Sequence, residues 1–427
     1  MPSQYFSCKK EHNVARSYRI DSPQTIQGGA HMLRKDFIAE LIGLEDLIVT
    51  DVKNVFGQLH IYGRMEQRVH KCPRCGRETS KVHDYREQTI KDIGSFGQIT
   101  FIHIRKRRHI CPHCRKRFAE SISFLPKYHR MTNRLYAFIV KEFTSVQSMA
   151  EIARRHNISS MTVARVFSQV KFPAPSKLPK VLSVDEFRGN AGGEKFQCIL
   201  TDPQKKVVLD ILPTRKSEHL YGYFSQFNNR KEVECVVMDM SSLFREVAKR
   251  CFSNAKIIAD KYHVVRQVCW AMENVRKEEQ KKFAVSRRRY FKRSRKILLK
   301  HFYDLTEEEV QQVEVMLLTS ERLARAYYAL QEFYILMDES VSRDDARKRL
   351  GKWLMQVESY HLPEFNACIT AIRNWSTEIL NSFEYPYTNA YTEGTNNKIK
   401  VIKRNAFGMR NFQRFRNRIL MATGAYA

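Results

Sequence analysis

Two pairs of cysteines restrict what this chain can fold into more than any other feature. The first pair stands in C-P-R-C-G at Cys72 and Cys75, and the second stands in C-P-H-C at Cys111 and Cys114. A C-x-x-C turn directs both sulfurs to one side, so two such turns can supply four thiolates to one tetrahedral Zn²⁺. Because four thiolates leave no open position on the ion, we expect a structural zinc site.

The segment 76–110 between the pairs is longer than the usual finger spacing, and a β-hairpin or ribbon would absorb its length. Within it, 98–108 (QITFIHIRKRR) alternates as a strand does, and its basic end, 105–108, is suited to phosphate contact or is a solvated strand end. Four free buried cysteines and a redox pair are the less favoured alternatives. Four histidines are alternative zinc ligands, each better placed at the surface or facing a phosphate: His83, His103, His109 and His113.

The charge of the chain points to a polyanionic partner. The 427 residues include 74 Lys and Arg against 45 Asp and Glu, a formal net charge of +29. Nucleic acid is the expected partner, because no apolar run approaches the roughly 20 residues that span a bilayer. The N-terminus lacks a signal-peptide pattern, and the six other cysteines are scattered as small buried residues are in a reducing compartment. We therefore expect a cytoplasmic protein.

Residues 126–170 are predicted to form a helix-turn-helix DNA-binding module. An amphipathic helix at 135–143 is followed by SMAEIARR (148–155), a turn at His156-Asn157, and SMTVARVFSQV (160–170). The outward face of the last helix would present side chains that can reach base edges and phosphates: Ser160, Thr162, Arg165 and Gln169. An ordinary helical hairpin is the alternative interpretation.

The pattern changes to α/β after KFPAPSKLPK (171–180), whose three prolines predict a semi-rigid linker. Helix-like segments follow the third, fourth and fifth of the β-branched runs, and residues 261–380 are helical in character. The β-branched runs are 181–184, 195–200, 206–212, 233–238 and 255–259. The order of three strands, helix, strand, helix, strand resembles the ribonuclease-H-like fold, in which the first and fourth strands are neighbours.

Three carboxylates stand where this fold would bring them together. The first run leads into Asp185 and the fourth into Asp239, and Glu393 lies in the late segment TNAYTEGTNNKIKVIKR. Such a set can hold two Mg²⁺, or Mn²⁺, about 3.5–4 Å apart. One Asp at a strand end is more often a turn residue or a helix cap, so the prediction depends on all three. The glutamate helix continues with cations that could follow DNA: Lys398, Lys400, Lys403 and Arg404.

Together these motifs resemble the bacterial insertion-sequence transposases of the IS-L-three family, within the DDE superfamily. The similarity covers Met32 to Leu420. Its most specific parts are the paired cysteines, V-D-E-F (184–187), A-D-K-Y-H-V (259–264) and N-A-Y-T-E-G-T-N-N-K-I-K-V-I-K-R-N-A-F-G (389–408). One departure is modest: Lys261-Tyr262 stands where the family commonly has Arg-Phe.

The resemblance implies the roles of the acidic residues. Asp185, Asp239 and Glu393 would be the catalytic triad and the magnesium ligands. Asp260 and His263 match an accessory D-x-x-H element. Alternatively, Asp260 caps the next helix and His263 is a satisfied core histidine.

The resemblance also implies a multidomain fold with an α/β ribonuclease-H-like catalytic core interrupted by an all-helical insertion. The expected parts are an N-terminal extension (1–31), a zinc-binding β module (32–125), the helix-turn-helix (126–170), the linker (171–180), the core (181–265 and 386–427) and the insertion (266–385). Such an enzyme binds the terminal inverted repeats of double-stranded DNA, cleaves them with metal and joins them to target DNA. Synapsis of two ends requires at least a homodimer. A non-catalytic DNA-binding regulator and a nuclease that does not join DNA are the alternatives.

Overall fold

The computed structural model describes residues 40–44, 46–286, 288, 293–406 and 408–424. The chain divides into two compact units. Unit 1 contains Met1–Ile90 and Thr100–Phe124, and unit 2 contains Lys91–Ile99 and Leu125–Ala427. The predicted N-terminal extension lies outside the described residues. Within the described ranges, no helix is long and apolar enough to cross a membrane.

Unit 1 is built on a sheet whose strands run β1-β2-β6-β5 across it, with β7 paired to the end of β6 and a separate β3–β4 hairpin. The strands are β1 (Leu47–Val55), β2 (Gln58–Met65), β3 (His70–Lys71), β4 (Glu78–Thr79), β5 (Val82–Lys91), β6 (Ile99–Ile110) and β7 (Arg117–Ala119). The predicted strand at 98–108 is therefore confirmed. Ile102 and Ile104 point into the core with Ile61, and all three are fully buried.

Unit 2 begins with three short helices, α1 (Asn133–Glu142), α2 (Met149–Arg155) and α3 (Ser160–Ser168). Their shared core contains the apolar residues that the helical periodicity selects: Leu135, Ile139, Ile152, Val163, Val166 and Phe167. The Ser159 side chain caps α3 by accepting a 3.1 Å hydrogen bond from the backbone N–H of Thr162. The predicted helices of the helix-turn-helix are confirmed.

The second sheet has five strands, and they are the five predicted runs. They are β8 (Val181–Phe187), β9 (Gln197–Asp202), β10 (Val207–Leu212), β11 (Cys235–Met238) and β12 (Lys256–Ala259), in the order β10-β9-β8-β11-β12. The first three strands pair in antiparallel fashion, whereas β11 is parallel to both β8 and β12. The expectation that the first and fourth strands are neighbours is confirmed.

Helices cover one face of this sheet because its strands present apolar side chains there. Helix α4 (Ser217–Ser225) follows β10, and α5 (Ser242–Cys251) follows β11. Both pack on this face. The packed side chains include Leu182, Val184, Leu200, Val236, Leu220, Phe224, Phe244 and Val247.

A helical region with its own core follows β12. Its helices are α6 (Lys261–Lys281), α7 (Arg295–Leu298), α8 (Glu307–Thr319), α9 (Glu321–Glu339), α10 (Arg343–Ser359), α11 (Asn366–Asn374) and α12 (Ser376–Asn381). The predicted apolar stripe of α9, which includes Leu323, Leu330 and Phe333, is buried in this core. Helix α6 begins at Lys261 and runs without a break through the expected boundary between 265 and 266.

Two last helices, α13 (Ala390–Asn405) and α14 (Phe412–Thr423), pack against the sheet through Ile399, Ile402, Phe415 and Ile419. The proline-rich segment 171–180, the predicted semi-rigid linker, makes hydrogen bonds to other parts of unit 2. Leu178 is buried, and its backbone N–H donates a 3.1 Å hydrogen bond to Asn229 Oδ1. Arg416 donates a 2.9 Å hydrogen bond to the Phe172 carbonyl.

Candidate functional site

The pairing of β8 with β11 brings two aspartates to the same level of the sheet. The last residues paired in this parallel register are Val184 and Met238, so Asp185 and Asp239 occupy the next positions. Asp185 is only 5% exposed. The sequence pattern suggested that Asp185 stands at the end of the strand. It lies inside β8 instead, because β8 continues to Phe187 in its pairing with β9.

These two carboxyl groups strongly disfavour being charged together. Burial, followed by the neighbouring charges of Glu186, Glu393 and Asp260, raises the pKa of Asp185 to about 6. Burial, followed by the charges of Asp185, Asp260 and Glu393, raises the pKa of Asp239 to about 8. A site of this kind holds a proton at neutral pH unless a cation balances its charge.

His263, in the first turn of α6, joins two of the carboxyl groups. Its Nδ1 lies 3.1 Å from Oδ2 of Asp239, and its Nε2 lies 3.1 Å from Oε1 of Glu393. The contact of Nε2 with Glu393 has the geometry of a hydrogen bond. The side chain is 21% exposed, and both of its ring nitrogens contact acidic groups.

Asp260 lies beside this cluster at the N-cap position of α6, but its side chain makes no capping hydrogen bond, contrary to the alternative reading. Its Oδ1 accepts a 3.0 Å hydrogen bond from the backbone N–H of Asn389. Ligand atoms of Asp260, His263 and Glu393 lie within 4.8 Å of one another. The structure thus brings the predicted triad and the accessory pair to one place.

Polar residues around Glu393 connect α13 to the sheet through hydrogen bonds. The sequence analysis did not predict these residues. The Thr392 hydroxyl lies 2.7 Å from that of Thr201 and 3.0 Å from that of Ser183, and all three residues are buried. Asn396 donates a 2.7 Å hydrogen bond to Oδ2 of Asp185. The signal available in the sequence was the presence of polar residues one position before and three positions after Glu393, which lie near it on a helix.

Asp239 and His263 open onto a cleft of about 260 Å³. It is lined by Glu186, Arg215, Asp239, Met240, Ser241, Phe244, His263 and Gln267. Arg215 pairs with Glu186, and its guanidinium lies 4.7 Å from the centre of the Phe196 ring. An acidic centre with an arginine at its edge suits a phosphate group that approaches a metal ion.

The donor set fits a hard divalent cation such as Mg²⁺. Oδ1 of Asp239 and Oδ2 of Asp260 are buried and have no hydrogen-bond partner. Such oxygens are costly to leave unsatisfied, and carboxylate oxygens are the ligands that Mg²⁺ prefers.

The four cations predicted on α13 divide into two groups. Lys398 donates to the carbonyl of Ala422, and Lys403 donates a 2.9 Å hydrogen bond to the carbonyl of Arg188, so both have structural contacts. Lys400 and Arg404 are exposed. They lie seven and eleven positions after Glu393, which places them on the same helix face.

The predicted outward face of α3 is also divided. Ser160 and Arg165 are exposed. Thr162 is half-buried and contacts the hydroxyl of its capping residue, whereas Gln169 accepts a 3.0 Å hydrogen bond from the Tyr136 hydroxyl. Of the four residues, Ser160 and Arg165 therefore present side chains to solvent with least constraint.

The four cysteines of unit 1 form one cluster. Sγ of Cys72 lies 3.5 Å from Sγ of Cys114, and Sγ of Cys75 lies 3.6 Å from Sγ of Cys111. Tetrahedral Zn²⁺ with bonds of about 2.3 Å would place its sulfurs about 3.8 Å apart. The cluster supports a structural zinc site.

The histidines and the basic strand end of unit 1 differ from expectation in two places. His109 is 1% exposed, so the prediction of a surface or phosphate-facing side chain is wrong for it. Arg107 is also buried and pairs with Glu120 at 3.2 Å, so it is not a phosphate contact. The reason is β7, which pairs with the end of β6 and brings Glu120 onto that face.

Comparison with known families gives matches in three consecutive segments. A model described as the zinc-finger of transposase IS204/IS1001/IS1096/IS1165 matches residues 68–114. The helix-turn-helix domain of transposase family ISL3 matches residues 120–170. The ISL3 transposase model itself matches residues 182–419, more than half of the chain. The chain belongs to the ISL3 transposase family. Its zinc ribbon, helix-turn-helix and transposase domain follow one another in that order.

Curated relatives agree with this membership. The chain is 27% identical over 369 residues to the transposase for insertion sequence element IS1001 of Bordetella parapertussis, a match covering 84% of this chain and 89% of the relative. It is 28% identical over 127 residues to the transposase for IS1557 of Mycobacterium tuberculosis, covering 30% and 28% of the two chains. A match of 29% over 126 residues to a Lactococcus lactis protein named ATP-dependent protease covers 29% and 38%.

Proposed function

We propose that this transposase cleaves and joins DNA by a DDE mechanism in which Asp185, Asp239 and Glu393 hold the catalytic metal. The observation that carries the proposal is that β8, β11 and α13 bring the three residues close together. His263 lies 3.1 Å from both Asp239 and Glu393, and the charge of Glu393 contributes to the raised pKa of Asp185.

We further propose that the catalytic core is ribonuclease-H-like. The strand order is β10-β9-β8-β11-β12. The strands β10, β9 and β8 pair in antiparallel fashion, and β11 and β12 run parallel to β8, which supports this assignment. The helices α6 to α12 would be the insertion between the fifth strand and the glutamate helix. Their separate apolar core supports this division of the chain.

Each of these residues would have its own role in the reaction. When bound, Mg²⁺ supplies activation of the attacking hydroxyl group and stabilisation of the leaving oxygen. Asp185 and Asp239 would provide its rigid ligands, since both are anchored at the sheet. Asn396 would keep Asp185 oriented through its 2.7 Å hydrogen bond. His263 would orient Asp239 and Glu393 through its two 3.1 Å contacts, and Asp260 would position the start of α13.

The DNA-binding parts would supply specificity and a path to the cleft. We propose that α3 reads the terminal inverted repeats through Ser160 and Arg165, which are both exposed. The zinc ribbon would add contacts to the same DNA end. Lys400 and Arg404, on the Glu393 face of α13, would hold the phosphate backbone as it leaves the site. Synapsis of two ends would require at least two copies of the chain on DNA.

Cleavage of labelled DNA carrying the element's own ends tests this proposal. Wild-type protein should nick the DNA at the ends with Mg²⁺ and leave a 3′-hydroxyl, and Asp239→Asn should lose nicking while it binds the ends normally. Glu218→Gln, an exposed carboxylate of α4, is the matched control and should cleave as wild type does. If both proteins bind the ends tightly and neither cleaves under conditions of assembly, the chain is a DNA-binding regulator. Cleavage without joining to target DNA would indicate a nuclease.

A further inference from the structure

The two cysteine knuckles of unit 1 share more than their cysteines. The first reads H-K-C-P-R-C and the second H-I-C-P-H-C, so a histidine precedes each knuckle by two positions: His70 and His109. Because four cysteines already complete a tetrahedral site, neither histidine is needed there. The repeated pattern raises the question of what the two imidazoles do.

The fold brings these two histidines together. His70 lies in β3, which pairs with β4 through His70 and Thr79. The Thr79 hydroxyl donates a 3.1 Å hydrogen bond to the carbonyl of Ile110 at the end of β6, next to His109. The centres of the two imidazole rings are 4.6 Å apart.

A carboxylate completes the group. His109 pairs with Phe118 across β6 and β7, and the backbone N–H of Glu120 bonds to the carbonyl of Arg107 at 3.1 Å. In this antiparallel register, side chains two positions apart share a face, so Glu120 lies diagonally opposite His109. Ligand atoms of His70, His109 and Glu120 all lie within 4.8 Å of one another.

His109 lacks the hydrogen bonds that a buried imidazole normally makes. It is 1% exposed, and neither Nδ1 nor Nε2 has a hydrogen-bond partner. A buried polar group without a partner is unfavourable, and it calls for an explanation such as a bound ion. Its nitrogens adjoin the half-buried ring of His70 and the buried carboxylate of Glu120.

We propose that His70, His109 and Glu120 form a second Zn²⁺ site, separate from the four-cysteine cluster. Two imidazoles and one carboxylate are ligands that zinc accepts, and they leave its fourth position for water or an external ligand. Bonds of about 2.0–2.1 Å would place the ligand atoms about 3.3 Å apart, a separation that small side-chain rotations can reach from the present spacing.

Glu120 keeps capacity for a metal although it already contacts Arg107. Its Oε1 accepts a 2.7 Å hydrogen bond from the Arg107 backbone N–H, and its Oε2 accepts a 3.2 Å bond from the Arg107 guanidinium. Each carboxylate oxygen has two lone pairs, so one remains on each. The Arg107 contacts would orient Glu120, as hydrogen bonds behind a metal ligand commonly do.

Counting zinc in the full-length protein tests this proposal. The Asp239→Asn background in excess Mg²⁺ keeps zinc out of the carboxylate cluster of unit 2. After equilibration with zinc and removal of the excess, mass spectrometry of the metal should find two zinc ions per chain. His109→Phe, which keeps an aromatic ring in the buried position, should bind one. His113→Ala, which changes a histidine inside the second knuckle that contacts Arg77, is the matched control and should bind two.

Cobalt substitution keeps the outcome interpretable if a variant folds poorly. The four-cysteine site loaded with Co²⁺ has intense sulfur-to-metal absorption, and His109→Phe should retain it at wild-type intensity while losing one equivalent of cobalt. One zinc ion per chain in the Asp239→Asn background would overturn the proposal. Equal zinc counts for His109→Phe and His113→Ala would overturn it as well.

Discussion

Asn396 donates a 2.7 Å hydrogen bond to Oδ2 of Asp185, and this contact connects the first strand of the second sheet to the helix that carries Glu393. Both residues are buried, so the bond forms away from water, where it is strongest. The nearby contacts of Thr392 with Ser183 and Thr201 fix the same helix turn. The candidate site is thus held by a polar network and not by apolar packing alone.

Replacing Asn396 tests whether this bond positions Asp185. Asn396→Ala removes a donor to the ionised carboxylate, and hydrogen bonds to charged groups contribute about 1.5–3 kcal/mol. We expect the single-turnover cleavage rate to fall about 10- to 100-fold. The pKa of Asp185 should rise further, so the pH–rate profile should shift to higher pH. Val401→Ala, at an exposed position of the same helix, is the control; equal effects of the two variants on rate and profile would contradict this role.

The affinity of the site for Mg²⁺ should increase with pH. The raised pKa values of Asp185 (about 6) and Asp239 (about 8) mean that protons occupy the site at low pH. The cation needs the ionised carboxylates, so its affinity should increase as pH rises through 8, with release of protons. Calorimetry in buffers of different ionisation enthalpy measures both quantities. A pH-independent affinity without proton release would contradict the assignment of these residues as ligands.

The same shifts predict how stability depends on pH without metal. Both folded pKa values lie above the ordinary value of 3.8, so the folded protein binds these protons more tightly than the unfolded chain does. This contribution is fully present below pH 3.8 and is lost as pH rises through about 6 and 8. Thermal unfolding should show a decrease in Tm over this range that Asp239→Asn reduces and Mg²⁺ reverses. An unchanged decrease in the variant would contradict the account.

Arg418 should couple the helix-turn-helix to the catalytic part. Although burial lowers its pKa to about 10, it stays charged at neutral pH, and it donates to the carbonyls of Phe143, Ser145 and Gln147 between α1 and α2. Arg418→Met leaves those carbonyls without their partner and should lower the free energy of unfolding by about 3 kcal/mol. Denaturant unfolding measures this loss. Arg414→Met, an exposed arginine of the same helix, should cost less than about 1 kcal/mol.

Arg165 and Lys400 should contribute to different properties of DNA binding. Arg165→Ala should weaken binding to the terminal repeats by about 1–3 kcal/mol relative to unrelated DNA. Gln169→Ala should have a smaller effect, because Gln169 is bonded to Tyr136. Lys400→Ala should leave this discrimination unchanged and reduce the salt dependence of binding by about one phosphate contact. Titrations at several salt concentrations measure all three, and a loss of discrimination in Lys400→Ala would contradict the division.

The sequence was informative where local pattern decides structure. The five β-branched runs became the five strands because both faces of that sheet are covered, so most of their residues are apolar. Ser148 and Ser159 precede α2 and α3, and the side chain of each caps its helix. Each cysteine knuckle directs its own two sulfurs to one side, so the sequence pattern alone predicts that the two pairs can share one site.

The remaining features depend on distant pairing, which local pattern does not contain. Asp185 lies inside β8 because β9 extends the pairing beyond β11, and no residue near Asp185 indicates this. His109 and Arg107 are buried because the three-residue strand β7 folds back on β6. The polar partners of the Glu393 helix are on other elements, so only the tertiary structure reveals them.

The most direct test of the central claim is the Mg²⁺-dependent rate of end cleavage by Glu393→Gln. If the three carboxylates hold the metal together, the rate should fall by at least about a thousandfold, corresponding to the several kcal/mol that metal catalysis supplies. The double variant with Asp239→Asn should be no slower, because residues that act as a unit are not additive. Cleavage by Glu393→Gln at the wild-type rate would contradict the account.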